Sequence, residues 1–474
     1  MSQTPDNEAE FFSQQGWQQL EAGEYEQAIA SYDKALEFKA DDDAAWYNRG
    51  IALRQLERFE EAIASYDKAL EFKADDDAAW YNRGIALDEL KRFEEAITSY
   101  DKALEFKPDK DAAWLSRGTA LVELERFEEA ITSYDKALEF KPDKDAAWYN
   151  RGIALVELER FEEAIASYDK ALEFKPDKDA AWLNRGIALK QLKRFEEAIA
   201  SYDKALEIKP DKDAAWYNRS LALDELGRFE EAIASCDKAL EIQPDKDAAW
   251  HSRGVALRQL GRFEEAIASY DKALEIQPDD DIAWYNRSLA LYDLGRFEEA
   301  IASCDKALEI KPDQDAAWYS RGIALYNLGR FEEALASYDK ALEIKPDYDA
   351  AWNNRGLALD ELGRFEEALA SYDKALEFKP DDDIAWYNRG IALKQLKRFE
   401  EAIASYDKAL EFKPDYHAAW YNRGNALWRL GRFREAIASR KKAVDLNPDF
   451  YWVQQKVHFQ QTITSILKKI TGHK

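Results

Sequence analysis

Tryptophan recurs at Trp46, Trp80, Trp114, Trp148, Trp182, Trp216, Trp250, Trp284, Trp318, Trp352, Trp386 and Trp420, always 34 residues apart and without a single insertion. A fixed period of this length requires a stack of small structural units, each touching its neighbours in the chain. One unit, residues 43–76, reads DAAWYNRGIALRQLERFEEAIASYDKALEFKADD, and counting backward places a degenerate copy at residues 9–42. Thirteen copies therefore fill residues 9–450, with a flexible N-terminus expected at residues 1–8.

Each unit has the spacing of a helical hairpin. Trp46, Leu53 and Leu56 fall on one helical face, and after the Arg58-Phe59 turn so do Ala62, Ile63, Tyr66, Ala69 and Leu70. Gly50 and Ala62 are small where two helices must approach closely, and Gly227, Gly261 and Gly295 at the inter-helix turn suit a left-handed cap. A proline recurs from Pro108 to Pro448 and stops each second helix. The composition agrees, because 46% apolar and 34% charged residues with only 19 Gly and 12 Pro make a helix-forming mixture. Residues 451–474 leave the period but keep helical apolar spacing in Val453, Val457, Phe459, Ile463, Ile466, Leu467 and Ile470, which predicts a C-terminal capping helix and tail.

The Trp, Gly, mid-repeat Ala, aromatic, Ala and closing Pro of each unit resemble the tetratricopeptide repeat pattern over more than nine-tenths of the chain, in the manner of long, near-identical bacterial arrays. The resemblance implies an all-α, right-handed superhelical solenoid of thirteen hairpins whose first helices line the concave side. It also implies a protein or extended peptide as partner. Two departures stand out. Arg49 and its counterparts to Arg423 occupy the place where the family more often has Leu, and Ala40 and Ala74 replace the closing Pro.

Three rows on the first helices are candidate binding elements. An aromatic row holds Tyr47, Tyr81, Tyr149, Tyr217, Tyr285, Tyr319, Tyr387 and Tyr421, interrupted by Leu115, Leu183, His251 and Asn353. The adjacent row is an asparagine ladder of Asn48, Asn82, Asn150, Asn184, Asn218, Asn286, Asn354, Asn388 and Asn422, with serine at the remaining places. Asparagine is a mediocre helix former carrying two donors and an acceptor, so its persistence in mid-helix predicts that it satisfies something, and a peptide backbone is one candidate. The ladder resembles that of O-linked N-acetylglucosamine transferase, where such residues hold extended polypeptide; simple duplication of an innocuous Asn is the alternative. Read as outward-facing, the ladder is expected to serve binding more than stability. The third row varies: Arg54, Asp88, Val122, Val156, Lys190, Asp224, Arg258, Tyr292, Tyr326, Asp360, Lys394 and Trp428. Variation inside copied units reflects either diversification toward a ligand or drift at a tolerant outward site. The clamp rows by which some relatives hold chaperone tails carry Ala44, Tyr47 and Ile51 types here, with Asn425 alone clamp-like, which disfavours a heat-shock chaperone adaptor.

Catalytic chemistry has no foothold. His251, His417, His458 and His473 lack metal-ligand spacing, no phosphate-binding glycine loop or nucleophile elbow occurs, and no cofactor motif is present. Serine is mostly of the repeated Ser65 type, read as solvent-side, and the Glu60-Glu61 and Asp75-Asp76 pairs read as helix N-terminal and solvated charges. Cys236 and Cys304 each replace a tyrosine two repeats apart, too distant to bridge, and read as core filler. They accompany Ser220-Leu221 and Ser288-Leu289, as a duplicated two-repeat block would leave them.

The N-terminus has no secretory pattern and no stretch reaches membrane-span length, so a cytoplasmic protein is expected. A formal charge of −27 argues against nucleic acid or anionic lipid. From His417 onward 11 Lys and Arg face 3 Asp and Glu, a net of +8, so residues 1–416 carry −35. Arg429, Arg432, Arg434, Arg440, Lys441 and Lys442 make an anionic-partner patch the third reading, after a non-enzymatic peptide-binding scaffold and weak head-to-tail self-assembly of basic end on acidic body.

Overall fold

The computed structural model describes residues 5–447. Within them the chain is an all-α repeat solenoid. Its helices run from α1 (Pro5–Glu21) and α2 (Tyr25–Phe38) to α25 (His417–Arg429) and α26 (Phe433–Leu446), two per copy, with no strand among the described residues. The first helix begins at Pro5, ahead of the copy that starts at Ala9. The predicted capping helix at 451–474 and the last closing Pro448 lie outside the described residues. The chain divides into two compact units, Met1–Pro244 and Asp245–Lys474, so α1–α14 belong to the first and α15–α26 to the second.

The second copy shows why each hairpin forms. Helix α3 (Asp43–Gln55) starts where the Asp42 carboxylate accepts from the Ala45 amide at 3.0 Å. It ends in a left-handed turn: the Arg58 amide donates to the Leu53 carbonyl and the Glu57 amide to the Arg54 carbonyl, both at 3.0 Å, with φ of +59° at Glu57. Glycine takes this place at 227, 261, 295, 329, 363 and 431, where the conformation costs no Cβ strain. Helix α4 (Phe59–Phe72) then packs back, burying Ala62, Ile63, Tyr66, Ala69 and Leu70. The next copy is tied on by its tryptophan, whose indole N–H donates to the carbonyl of the closing residue: Trp114 to Pro108 at 2.8 Å, Trp80 to Ala74 at 2.9 Å. Because the acceptor is a main-chain oxygen, alanine replaces proline at 40 and 74 without loss of the bond.

The other departure is explained by a clamp. Arg83 on α5 (Asp77–Glu89) donates through Nε to Asp67 of the preceding α4 at 2.6 Å and through Nη1 to Ser99 on its own partner, α6 (Phe93–Phe106), at 2.7 Å. Its guanidinium lies 5.8 Å from the Trp80 ring. The same bonds recur from Arg49 (Asp33, Ser65) to Arg423 (Asp407, Ser439). The serines are therefore not on the solvent side as expected from sequence. Ser65 is fully buried, accepting from Arg49 and donating to the Glu61 carbonyl at 2.9 Å. An arginine joining three helices does what leucine cannot, since leucine would bury no donor for the serine and aspartate.

A close approach governs the interior. A Cβ placed on Gly50 would lie 2.5 Å from Tyr66 Cε1, and the same conflict recurs at Gly84 with Tyr100 and Gly152 with Tyr168. Any side chain there requires that the ring be absent. Ser220 with Cys236, and Ser288 with Cys304, satisfy this rule, so the paired substitutions visible in the sequence are two ends of one contact. Both cysteines are free and buried.

Successive first helices touch, as α3 does α5, whereas successive second helices do not. Within each unit the first helices therefore converge and line its inner side.

Candidate functional site

On this inner side, the asparagine and tyrosine rows are half-buried and joined to each other. The Asn82 amide donates to the Tyr47 hydroxyl of the preceding repeat at 3.0 Å, Asn184 to Tyr149 at 3.1 Å, Asn354 to Tyr319 at 3.0 Å and Asn422 to Tyr387 at 3.0 Å. Two interruptions of the aromatic row preserve the acceptor: Asn286 pairs with His251 Nε2 at 2.8 Å, and Asn388 donates to Asn353 Oδ1 at 3.1 Å. Burial holds His251 below its ordinary pKa, so the ring is neutral and Nε2 is free to accept when the proton sits on Nδ1.

The expectation that the ladder is outward-facing and separate from stability is thereby corrected: these amides join consecutive repeats. After Leu183, which has no acceptor, Asn218 instead accepts from Lys190 at 3.0 Å and donates to the Ala214 carbonyl. Asn48 and Asn150 are likewise half-buried, as are Tyr81, Tyr217, Tyr285 and Tyr421. The aromatic row is partly roofed by the last residue of each repeat, just before the next first helix: Lys178 lies over Tyr149 at 4.2 Å, and Tyr348 packs against Tyr319 and Tyr416 against Tyr387, each at 4.8 Å. Tyr348 and Tyr416 were not among the residues singled out from sequence; their only signal is an aromatic standing where most repeats have Lys or Asp.

The variable row is not a solvent-facing site. Apart from exposed Trp428, every member is half-buried, and Asp88 and Asp360 reach the core tyrosines of their own repeats. Burial pushes the Asp88 and Asp360 carboxyls up to about 6, against which hydrogen bonds from Tyr100 (3.4 Å) and Tyr372 (2.7 Å) act weakly. Burial raises Asp224 and lowers Lys190 and Lys394. Oδ1 of Asp88, Asp224 and Asp360 has no hydrogen-bond partner. All five are desolvated, and only the three aspartates keep a spare acceptor, since Lys190 and Lys394 donate to Asn218 and Asn422.

A carboxyl raised in the folded state contributes stability below its unfolded value and loses it as pH climbs through the folded one. The gain here falls between pH 3.8 and about 6. Acidifying from about pH 7 to about pH 5 is therefore expected to raise the amide protection factors, which are corrected for the intrinsic slowing of exchange in acid, in α5–α6 and in α21 (Asp349–Glu361) and α22 (Phe365–Phe378). Asp88→Asn and Asp360→Asn should each abolish the gain in their own hairpin; an unchanged pH response in the variants would contradict these carboxyl assignments.

The basic residues near the end differ in their surroundings. Arg432 is held by Glu435 through two bonds of 2.6 and 2.7 Å, as its counterparts are in other repeats. Arg440 turns inward, donating to Asn425 at 2.8 Å and lying over Trp428 at 5.1 Å. Arg429, Arg434, Lys441 and Lys442 remain exposed. Beside them Phe433 and Ile437 are 52% and 60% exposed, where the corresponding Ile403 is 5%, because no further described hairpin covers this face.

Among the described residues no three His, Cys, Asp or Glu side chains are grouped to hold a metal, and no helix is long and apolar enough to cross a membrane. No curated protein matches the chain. Similar solved structures include YrrB, described as a TPR protein with an unusual peptide-binding site, at 28% identity over 40% of this chain and 97% of that one, TM-score 0.37. A tetratricopeptide repeat protein from Parabacteroides merdae matches at 20% identity over 52% and 98%, TM-score 0.40. The anaphase-promoting-complex hetero-tetramer Cut9-Hcn1 matches at 16% identity over 93% and 94%, TM-score 0.38. The tetratricopeptide repeat family matches in windows 115–179, 149–213, 183–248, 251–315, 311–349, 319–383, 353–417 and 387–449, with further matches at 44–76 and 78–110 and a TPR repeat at 19–56. With its hairpins, turns and recurrent side chains accounted for, the chain belongs to the tetratricopeptide repeat family.

Proposed function

We propose that this protein is a non-enzymatic scaffold that binds an extended segment of a partner protein along the first-helix face of its repeats. Tetratricopeptide proteins are generally protein–protein interaction scaffolds. The finer reading is supported by the variable row: side chains diversify there although the framework around them is copied, and three of its carboxylates, Asp88, Asp224 and Asp360, each keep a buried oxygen without a partner. A strand of peptide brings main-chain N–H donors and alternating side chains, which complement such a row. The asparagine and tyrosine rows support it by joining successive repeats, as Asn82 does with Tyr47 and Asn354 with Tyr319.

The test is selection of a displayed peptide library on the full chain and on Lys190→Asp and Lys394→Asp variants. The native protein should enrich peptides with an acidic residue whose replacement by Ala weakens binding about tenfold, and each reversal should shift the enriched charge to basic. Identical peptide pools from all three proteins would overturn the reading.

A further inference from the structure

We infer that repeat 9 carries a receptor pocket for one aromatic side chain, tyrosine or phenylalanine, of the bound peptide. The pocket lies in the second unit between α17 (Asp281–Asp293), α18 (Phe297–Ile310) and α19 (Asp315–Asn327), with a volume of about 290 Å³. Cys304 and Ser288 line its interior, and Tyr285, Tyr292, Tyr319 and Tyr348 surround it. An apolar cavity of about 150 Å³ already admits a benzene-sized ring.

The shape follows from the Gly–Tyr rule. Elsewhere a core tyrosine packs against the row tyrosine of its own repeat at a fixed tilt: Tyr47 with Tyr66 at 6.0 Å and 49°, Tyr319 with Tyr338 at 6.1 Å and 48°, Tyr387 with Tyr406 at 6.0 Å and 49°. In repeat 9 the core ring is exchanged for the Cys304 thiol, and the compensating Ser288 is far smaller than a phenol ring. Tyr285 is left without an intramolecular ring partner from that position. An incoming aromatic ring restores the tilted pair against Tyr285.

The lining selects a neutral ring. The only ionic groups at the pocket, Arg258 and Asp293, neutralise each other at 2.8 Å. Burial pushes the Cys304 thiol up to about 11, so it is uncharged near neutral pH. The Tyr319 and Tyr292 hydroxyls accept from Asn354 at 3.0 Å and Asn327 at 3.3 Å, which fixes both rings while leaving their protons available to a phenol oxygen. Repeat 7 has the same Ser220 and Cys236 exchange but Asp224 at the place of Tyr292, so the aromatic enclosure is particular to repeat 9.

This pocket deepens the peptide-binding reading, but its test is independent of any peptide. p-Cresol, the side chain of tyrosine, is titrated into the full chain by calorimetry, alongside Ser288→Gly/Cys304→Tyr, which rebuilds the ordinary repeat, and Tyr292→Asp. The native protein should show one saturable site, lost in the double variant and weakened at least about tenfold in Tyr292→Asp. Absence of saturable binding, or binding unchanged by the double variant, would overturn the pocket while leaving the scaffold reading to its own test. Tighter binding of tetramethylammonium than of p-cresol at this site would also overturn it, by making the enclosure a cation cage.

Discussion

Gly152→Ser is expected to cost about 3 kcal/mol of local stability in its hairpin, and Tyr168→Cys on the facing helix to remove most of that cost when the two are combined. The added Cβ would sit 2.5 Å from Tyr168 Cε1 and 2.8 Å from Cδ1 in α9 (Asp145–Glu157) and α10 (Phe161–Phe174), and the ring, about 1% exposed, has no room to withdraw. Tyr168→Cys alone should cost about 3 kcal/mol, because it deletes a buried ring and leaves a cavity. The double variant reproduces the natural Ser288 and Cys304 pair, so its cost should also be near 3 rather than about 6 kcal/mol. Stability in a repeat array is local, so the measurement is amide exchange in α9 and α10 rather than a single melting midpoint. Costs that add to within about 0.5 kcal/mol would show that the two positions do not compete for the same space.

Arg185→Leu, which restores the commoner family residue, should weaken both neighbouring junctions by about 2 kcal/mol. Arg185 donates to Asp169 of the preceding repeat at 2.6 Å and to buried Ser201 of its own at 2.7 Å, and stacks 5.9 Å from the Trp182 ring. Its side chain is 19% exposed, so these bonds are better shielded than a surface ion pair. Leucine removes the Asp169 ion pair and leaves the buried Ser201 hydroxyl with only its bond to the Glu197 carbonyl. Lysine should recover little, because a single ammonium lacks the fork that reaches two acceptors in fixed directions. Amide exchange that accelerates in both α10 and α12 (Phe195–Ile208) is the expected outcome; exchange unchanged in α10 would mean the arginine does not join repeats.

Much of this architecture was legible in the sequence because its signals are local. The 34-residue period, the small Gly50 and Ala62, the Gly227 turn and the closing prolines each constrain a few neighbouring residues, and the hairpins fall where they place them. What sequence could not show were contacts between units. The partner of Asn82 lies in the preceding repeat, so an amide that joins Tyr47 looked outward and available. Ser65 looked solvated because its acceptor role depends on Arg49 from the facing helix. The joint change of Gly to Ser and Tyr to Cys was visible as a pattern, but only the 2.5 Å approach seen in other repeats makes it a steric rule. The variable row was identified correctly as the place of diversity and wrongly as an open surface. Its members are half-buried, and Asp360 descends beside a core tyrosine, as the 2.7 Å bond from Tyr372 shows.

These corrections strengthen the division of labour within a repeat. Arginine, asparagine and tyrosine rows hold one hairpin to the next, and in the binding mode we propose the variable row and the repeat 9 pocket discriminate among ligands. Charges already stripped of water are suited to discrimination, since an ill-matched partner leaves them unpaired.

The most direct test of the binding-face account is hydrogen exchange on the full chain with and without a peptide selected on it. Protection should concentrate on first helices such as α11 (Asp179–Gln191), α13 (Asp213–Glu225) and α19, with second helices away from the repeat 9 pocket, such as α12, largely unchanged. Protection confined to second helices or to the outer hairpin turns, with the first helices unaffected, would contradict it.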